Sequence, residues 1–587
     1  MLTYTAPWRD MHFVIEELLA LPRQWAAMPA FESVDAELAR QVIGEAGRFA
    51  SEVLLPVDAS GDLEGCHLND GAVTTPRGYR AAYAAFVDAG WPALACTADS
   101  GGQGLPQLLN TALYEMLAAC GHAWSMYPGL LHGAYECLHR HGSPALRERY
   151  LGKLVSGEWL ATMCLTEAQA GSDLGLVATR AVARADGSHA ISGSKIFISG
   201  GDHDLTDNIV HLVLARLPDA PAGTRGLSLF LVPKRLPGAD GEALGARNAV
   251  VCDSIEHKLG IRGSATCVMR FDAATGWLVG EPNRGLAAMF AMMNASRLHV
   301  GLQGLGHAEI ALQNALAYAR ERVQSRAVDA EGAGPHPIVE HAAVRRVLLA
   351  LRARVEGGRM LAYRAAHAID LAEHSADADT AARERTLAAL LTPLAKAVLT
   401  EHGFACASDA LQLWGGHGYV HESGIEKTLR DARISMIYEG TNEIQAIDLL
   451  VRKGVADAGR GLGLLFDELE ATLPAQALHA PAVRRAIGAM REALLAIIEG
   501  AAGDAELPYR VAPDWMSALG IVVYAHGFAC ADAVAAQALA AGSGDAAFYG
   551  AKRETAAYWM RFMLPELDAR LRCIEAGSFA LPRFDAR

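Results

Sequence analysis

The chain is sparing with the features that mark several protein classes. Its ten cysteines, from Cys66 to Cys573 in 587 residues, form no CxxC pair and no Cys/His metal spacing. That excludes a zinc module or a disulfide framework, so no metal site is expected, and it reads as reduced thiols in a cytoplasmic compartment. Basic residues are in deficit: the net charge is −14 and the pI about 5.8, with no basic tail or arm. Nucleic-acid and anionic-membrane binding both need basic surface to displace counterions, so neither partner is expected. No window reads as a charge-free spanning helix, and the apolar run near 515–541 is interrupted by His526 and Asp532, which favours burial within the protein. The N-terminus carries Asp10, Glu16 and Glu17 and has neither a basic n-region nor a long apolar run, so it does not read as a targeting peptide. Internal repeats are absent. So is a strand–glycine loop–helix phosphate site: SGGQGLP at 100–106 follows no strong strand, and GLQGLG at 301–306 lies inside a helical pattern where close helix packing explains its glycines.

What is present is apolar residue in quantity, 51% of the chain, enough for several domains with large cores. After an N-terminal extension (1–31), residues 32–161 read as helical. DAELARQVIGEAGRFASEVLLP sets the three- and four-residue apolar spacing, and further helices are expected around 76–90, 105–121 and 143–155. Between 162 and 280 the period changes. VATRAVAR, AISGSKIFIS, NIVHLVLAR, GLSLFLVP and TCVMRFD are short alternating runs parted by Gly, Asp and Pro, which predicts an inserted all-β domain. Helical patterns return over 281–456, led by one long helix from 285, with EGAGPHP at 331–337 as a loop between helices. An Ala-rich helical extension fills 457–587.

One stretch stands out, MIYEGTNEIQ at 436–445, where Glu439 precedes Gly440 and Thr441 at the start of a helix. On local sequence alone the simpler reading is an ordinary helix start, with Thr441 as cap and Glu443 in the first turn. Its company changes that. CLTEAQAGSD (164–173), KIFISGG (195–201), EHKLGIRGSATCVMRFD (256–272), ARERVQSR (319–326), LQLWGGHGYV (411–420), RDARI (430–434) and YEGTNEIQ occur in order, and together they resemble the acyl-CoA dehydrogenase family of flavoproteins, in its large bacterial branch with a C-terminal extension.

The resemblance implies a mainly α chain with an inserted β-barrel: a helical domain, the barrel, a four-helix bundle and the C-terminal helical domain. It further implies FAD lying between barrel and bundle in a homodimer. Leu165 and Thr166 would face the flavin's polar edge and Ser172 its pyrophosphate, although AGSD is also an ordinary turn. Phe197 and Ser199 stand where better-known members have Trp and Thr, keeping an aromatic face and a hydroxyl. Arg322 would pair with the pyrophosphate, or else complement a helix C-terminus. Gln324, Ser325 and Arg326 depart from the family's Phe-Gly, which leaves the adenine end open. Gln412, Gly415 and Gly416 would border the partner's FAD, and Thr441 and Glu443 would complete the site. Arg430 and Asp431 read as a structural charge pair.

The implied reaction removes a proton from the α carbon of an acyl-CoA and a hydride from its β carbon, giving trans-2-enoyl-CoA, with Glu439 as base and an electron-transfer flavoprotein as electron acceptor. One branch of the family carries the base immediately before an Arg equivalent to Arg297. Here that position is Ser296, which cannot serve, leaving Glu439, while Arg297 is assigned either to positioning the catalytic segment or to a buried salt bridge. A straight-chain fatty acyl-CoA is the expected substrate, with 3-methylmercaptopropionyl-CoA as the alternative and Met289, Met292 and Met293 as pocket or plain core. An acyl-CoA oxidase and a DNA-binding flavoprotein are the competing classes, the latter opposed by the acidic C-terminal region.

Overall fold

The computed structural model describes residues 2–238, 244–328 and 334–584, so residues 331–333 of the expected 331–337 loop lie outside the described residues. The chain forms two compact units, Thr3–Ala6 with Gln41–His299, and Met1–Leu2 with Pro7–Arg40 and Val300–Arg587.

In the first unit, helices that include Gln107–Ser125 and Leu131–His141 precede the β region. The second of these was not foreseen. The strands are β1 (His67–Asn69), β2 (Ala72–Thr74), β3 (Leu160–Cys164), β4 (Arg180–Ala183), β5 (His189–Ser199), β6 (Ile209–Arg216), β7 (Leu227–Pro233), β8 (Arg235–Pro237), β9 (Leu244–Arg247), β10 (Val250–Ile255) and β11 (Thr266–Val279). β11 pairs with β5, β5 with β4, β4 with β6, β6 with β7, and β7 again with β11, closing a barrel. β3 adds to β6 in parallel and β10 to β11 antiparallel. Closure leaves no free edge around the ring. Ile191, Ile198, Val213, Phe230, Val232, Cys267 and Phe271 fill its core. The five quoted β runs all become strands, whereas β3, β8, β9 and β10 were missed, and the β1–β2 hairpin falls within the stretch expected to be helical. β3, LATMC, is buried at every position and shows no alternation to read.

In the second unit the long helices Gly285–Glu321 (from Val300), Ala342–His374 and Ala378–Trp414 are followed by a broken stretch: Ile425–Ala432, a 3₁₀ turn Arg433–Met436, and Asn442–Ile447. Two glycines set the helix spacing. A methyl group on Gly304 would collide with the Leu399 carbonyl, and one on Gly403 with the Gly304 carbonyl, so the two backbones touch and GLQGLG serves helix packing. The N-terminal segment is tied in by charge. Buried Arg359 pairs with Asp10 and, at 2.6 Å, with Glu309, while Lys552 pairs with Asp10 and, at 3.1 Å, with Glu356. Burial pushes the Asp10 carboxyl up, but the two cations outweigh it and hold it at about 2. Arg430 pairs with Glu426 at 2.5 Å and Asp431 with Lys427 at 2.6 Å, so the expected charge pair is two i,i+4 pairs along one helix.

The C-terminal region contains a helix, Leu507–Ala540, long and apolar enough by length and composition to cross a membrane. Within the protein, 61% of its most apolar window is buried, it packs on Ala342–His374 and Ala378–Trp414, and Asp532 is ion-paired with Arg553 at 2.9 Å. It is built as a core helix. Substituting Gly304→Ala should destabilise the protein by about 1–3 kcal/mol through overpacking in urea denaturation. Gly301→Ala, whose methyl would sit 3.2 Å from the Ala395 carbonyl, should cost less. Equal stability of Gly304→Ala and wild type would contradict the contact.

Candidate active site

The break in the fourth helical stretch is a backbone feature with a clear cause. Glu439 has φ +56° and Gly440 φ +85°, two left-handed residues in succession, which no helix continues through. Thr441 then caps Asn442–Ile447 by accepting from the Ile444 N–H at 3.3 Å. The Glu443 carboxyl is held below its ordinary range by hydrogen bonds from its own N–H and from the Thr441 hydroxyl. The plain helix-start reading of 441–443 is therefore correct as far as it goes. What it omits is the turn before the cap, where Glu439 sits half-buried on strained backbone.

That turn is held from three sides. Gln445, fully buried, donates from Nε2 to the Glu439 carbonyl at 3.0 Å and the Gly440 carbonyl at 3.4 Å. The Tyr438 hydroxyl donates to Gln303 Oε1, which also accepts from the Ser435 hydroxyl at 3.3 Å. Asn442 Oδ1 accepts from buried Lys396 at 2.8 Å, and its Nδ2 donates to the Ala397 carbonyl at 3.3 Å, fixing the cap to helix Ala378–Trp414. Burial raises the Tyr438 phenol, which stays protonated as a donor. None of these supporting residues was singled out from sequence. Gln445 closes the quoted MIYEGTNEIQ segment and Gln303 lies within GLQGLG, yet neither glutamine carries a spacing signal.

In the same unit a cavity of ≈390 Å³ is lined by Tyr318, Arg322, Gln324, Ile338, Trp414, Gly415, Gly416 and His417. It gathers Arg322, Gly415 and Gly416 from the sequence-predicted set, and Gln412 lies two residues before its Trp414 wall. Gly415 is left-handed, φ +59°, and methyl groups at 415 and 416 would meet only open space. Tyr318 stacks on Trp414 at 4.5 Å and its hydroxyl meets His417 Nδ1 at 2.9 Å. This aromatic wall was not foreseen.

The barrel supplies a second group. Leu165 and Thr166 follow β3, and the Thr166 carbonyl accepts from the Ile196 N–H at 2.9 Å, which brings the turn beside Phe197. Phe197 is 59% exposed at φ +58°, a costly conformation for a large aromatic and one that turns its ring outward. Ser199 pairs with Thr266 at the end of β5, and Ser172 is exposed in the loop between β3 and β4. Beneath them Lys195, fully buried, donates to the Leu165 carbonyl at 2.9 Å and to Glu167 Oε1 at 2.8 Å. Glu167 also accepts from the Ala178 and Thr179 N–H groups and the Thr179 hydroxyl, so one carboxylate ties the loop together. Burial pushes its carboxyl up, but Lys195 and these donors outweigh that and hold it at about 2.

Ser296 and Arg297 are buried, Arg297 donating to Asn294 at 3.4 Å and lying 5.9 Å from the Phe290 ring centre. Met289 and Met292 are fully buried, and Met292 packs against Gly133.

Family models for the N-terminal, middle and C-terminal domains of acyl-CoA dehydrogenase match residues 36–158, 162–274 and 283–453. A model described as acetyl-CoA dehydrogenase C-terminal like matches 465–585. The chain belongs to the acyl-CoA dehydrogenase family, FAD-dependent oxidoreductases acting on CH–CH groups. It is 44% identical over 575 residues to the 3-methylmercaptopropionyl-CoA dehydrogenase of Ruegeria pomeroyi, covering 97% of each chain. To the broad-specificity linear acyl-CoA dehydrogenase FadE5 of Mycobacterium tuberculosis it is 33% identical over 601 residues, again covering 97% of each. The fold matches that of Caenorhabditis elegans ACDH-11 in complex with C11-CoA, with a TM-score of 0.75 at 18% identity over 99% of this chain and 93% of that one.

The residues present suit FAD. Taken each within its own unit, the outward-turned Phe197 is what a flavin ring requires, and the cleft with the Arg322 guanidinium in its wall and a glycine rim whose methyls would project into open space is what a pyrophosphate requires. Lys195→Met should cost about 3–5 kcal/mol in urea denaturation, because it leaves the Glu167 carboxylate buried without its cation. A loss below about 1 kcal/mol would place the pair among weak surface bridges. The depressed Glu167 pKa stabilises the fold above pH ~4.5 and loses that contribution as pH falls toward about 2, a slope that Glu167→Gln should lack.

Proposed function

We propose that the protein oxidises the Cα–Cβ bond of a saturated acyl-CoA to the trans-2-enoyl-CoA, with Glu439 as the base. The observation that carries this reading is the left-handed turn at Glu439–Gly440, which holds a carboxylate on clamped backbone beside a capped helix. Proton abstraction from carbon needs a base in direct reach of that carbon and shielded from water by the bound substrate, and a half-buried carboxylate is suited to that place. The Glu439 N–H is assigned to the thioester oxygen as it gains charge. FAD, when bound, supplies the hydride acceptor. Leu165 and Thr166 are assigned to its polar edge, Phe197 and Ser199 to its ring, and Ser172 and Arg322 to its pyrophosphate. Gln412, Gly415, Gly416, Thr441 and Glu443 are assigned to the rest of its binding. Ser296 lacks the acidity to replace Glu439.

For the acyl group, 44% identity across nearly the whole chain supports 3-methylmercaptopropionyl-CoA, in place of the straight-chain fatty acyl-CoA expected from sequence. The relative named for linear acyl-CoA supports the straight chain as the second reading. An electron-transfer flavoprotein as acceptor and a cytoplasmic homodimer complete the proposal. Ten free cysteines, most of them buried, agree with a reducing compartment.

Glu439→Gln should retain FAD and fail to bleach it when a saturated acyl-CoA is added without oxygen; normal bleaching would remove Glu439 as the base. In a panel of acyl-CoAs assayed with an artificial electron acceptor, 3-methylmercaptopropionyl-CoA should give the highest kcat/KM. A straight-chain acyl-CoA exceeding it would favour the second reading, and peroxide formed on substrate addition in air would favour an oxidase.

A further inference from the structure

We propose that Gln445 is a positioning residue for the reaction, fixing the direction in which the Glu439 side chain leaves its turn. The inference rests on the reading of Glu439 as the base. Gln445 reaches back from the second turn of its helix, fully buried, and its Nε2 donates to both carbonyls of the left-handed pair, at 3.0 Å and 3.4 Å. The fit is close. A methyl group at 440 would lie 2.6 Å from Nε2, so only glycine leaves room for the amide.

The other end of the same amide makes no such contact: Gln445 Oε1 is buried and accepts no hydrogen bond among the described residues. A buried unsatisfied carbonyl carries a desolvation penalty, and an apolar side chain of the same length would avoid it. The amide is kept for what its donor end does. That end holds a turn whose backbone is itself unfavourable: a non-glycine residue at φ +56° persists only when its surroundings impose it. Without the two N–H donors the pair can relax toward ordinary backbone, and the carboxylate then moves relative to the carbon it must deprotonate. A displacement of about 1 Å in a reacting group is enough to slow chemistry by roughly 10²-fold.

Gln445 therefore touches neither reacting atom and acts through Glu439. Tyr438, held by Gln303 on the other side of the turn, limits how far the segment can drift, so the loss on removing the amide is partial.

The test uses the FAD-loaded full chain and anaerobic stopped-flow bleaching over a range of acyl-CoA concentrations. Gln445→Met should lower the limiting bleaching rate by about 10–100-fold. Its half-saturation concentration and FAD content should match those of wild type, and its melting temperature should fall only slightly, since the two carbonyls lose their donors while the unpaired Oε1 is removed, so that the loss of rate far exceeds what a merely structural residue would give. Gly440→Ala, which displaces the amide from its carbonyls, should lower the limiting rate in the same way and also lower the melting temperature, because it places a methyl at φ +85°, and the double variant should be no slower than the slower single one. A wild-type limiting rate in Gln445→Met overturns the proposal. So does a loss of FAD or of melting temperature that accounts for the slowing. Should Gln445→Met fail to fold, a wild-type rate in Gly440→Ala overturns it instead. Glu439→Gln, run alongside, separates the two claims: normal bleaching there refutes the base, whereas no bleaching there with a wild-type rate in Gln445→Met refutes only the clamp.

Discussion

Two hydrogen bonds from one buried amide to the carbonyls of Glu439 and Gly440 hold the left-handed turn that parts two helical segments. A carboxylate in a regular helix has its direction set by the helix, and a carboxylate on a free loop has none. The left-handed pair is a third arrangement, a fixed departure from helical geometry with a helix cap immediately after it. Much of the second unit supports it. Close contact of Gly304 with Gly403 and Leu399 sets the spacing of the helices that carry Gln303 and Lys396, and these hold Tyr438 and Asn442 on either side of the turn.

The barrel solves a similar problem with charge. The turn carrying Leu165 and Thr166 has little regular structure of its own, and a buried carboxylate–ammonium pair takes the place of a ladder. Glu167 gathers the N–H groups of Ala178 and Thr179, and Lys195 holds the Leu165 carbonyl. Such a pair adds little net stability against an apolar alternative, yet it is costly to break, which makes it a device for fixing conformation. Asp10, Arg359 and Lys552 use the same chemistry to tie the N-terminal segment to the helices of the second unit.

What could be read in the sequence followed from periodicity and motif order. β5, β6, β7 and β11 alternate or run apolar between Gly and Pro breaks and were found, whereas β3 and β10 lack that punctuation and were missed. The long helix from Gly285 was legible because its apolar spacing persists for many turns. Glu439 was legible only through the motifs around it, since YEGTNEIQ in isolation is a helix start. Backbone sign was not legible: nothing in IYEGT states that a glutamate will sit at positive φ, nor in KIFIS that Phe197 will. The supporting glutamines were silent as well, because a buried amide is recognised by what it reaches in space. The burial of the apolar helix Leu507–Ala540 was legible from His526 and Asp532 within its apolar run, and 61% of its most apolar window is covered by the protein.

Membership of the acyl-CoA dehydrogenase family and the clamped turn lead to one picture, in which a carboxylate is held by its backbone until a substrate carbon arrives. The most direct test is a crystal structure of the FAD-loaded protein with a saturated acyl-CoA trapped by Glu439→Gln. The account predicts the residue 439 side chain within about 3–3.5 Å of the substrate α carbon, on a turn still left-handed and still capped by the Gln445 amide. A different carboxylate at that carbon, or residue 439 turned away from it, would contradict the account.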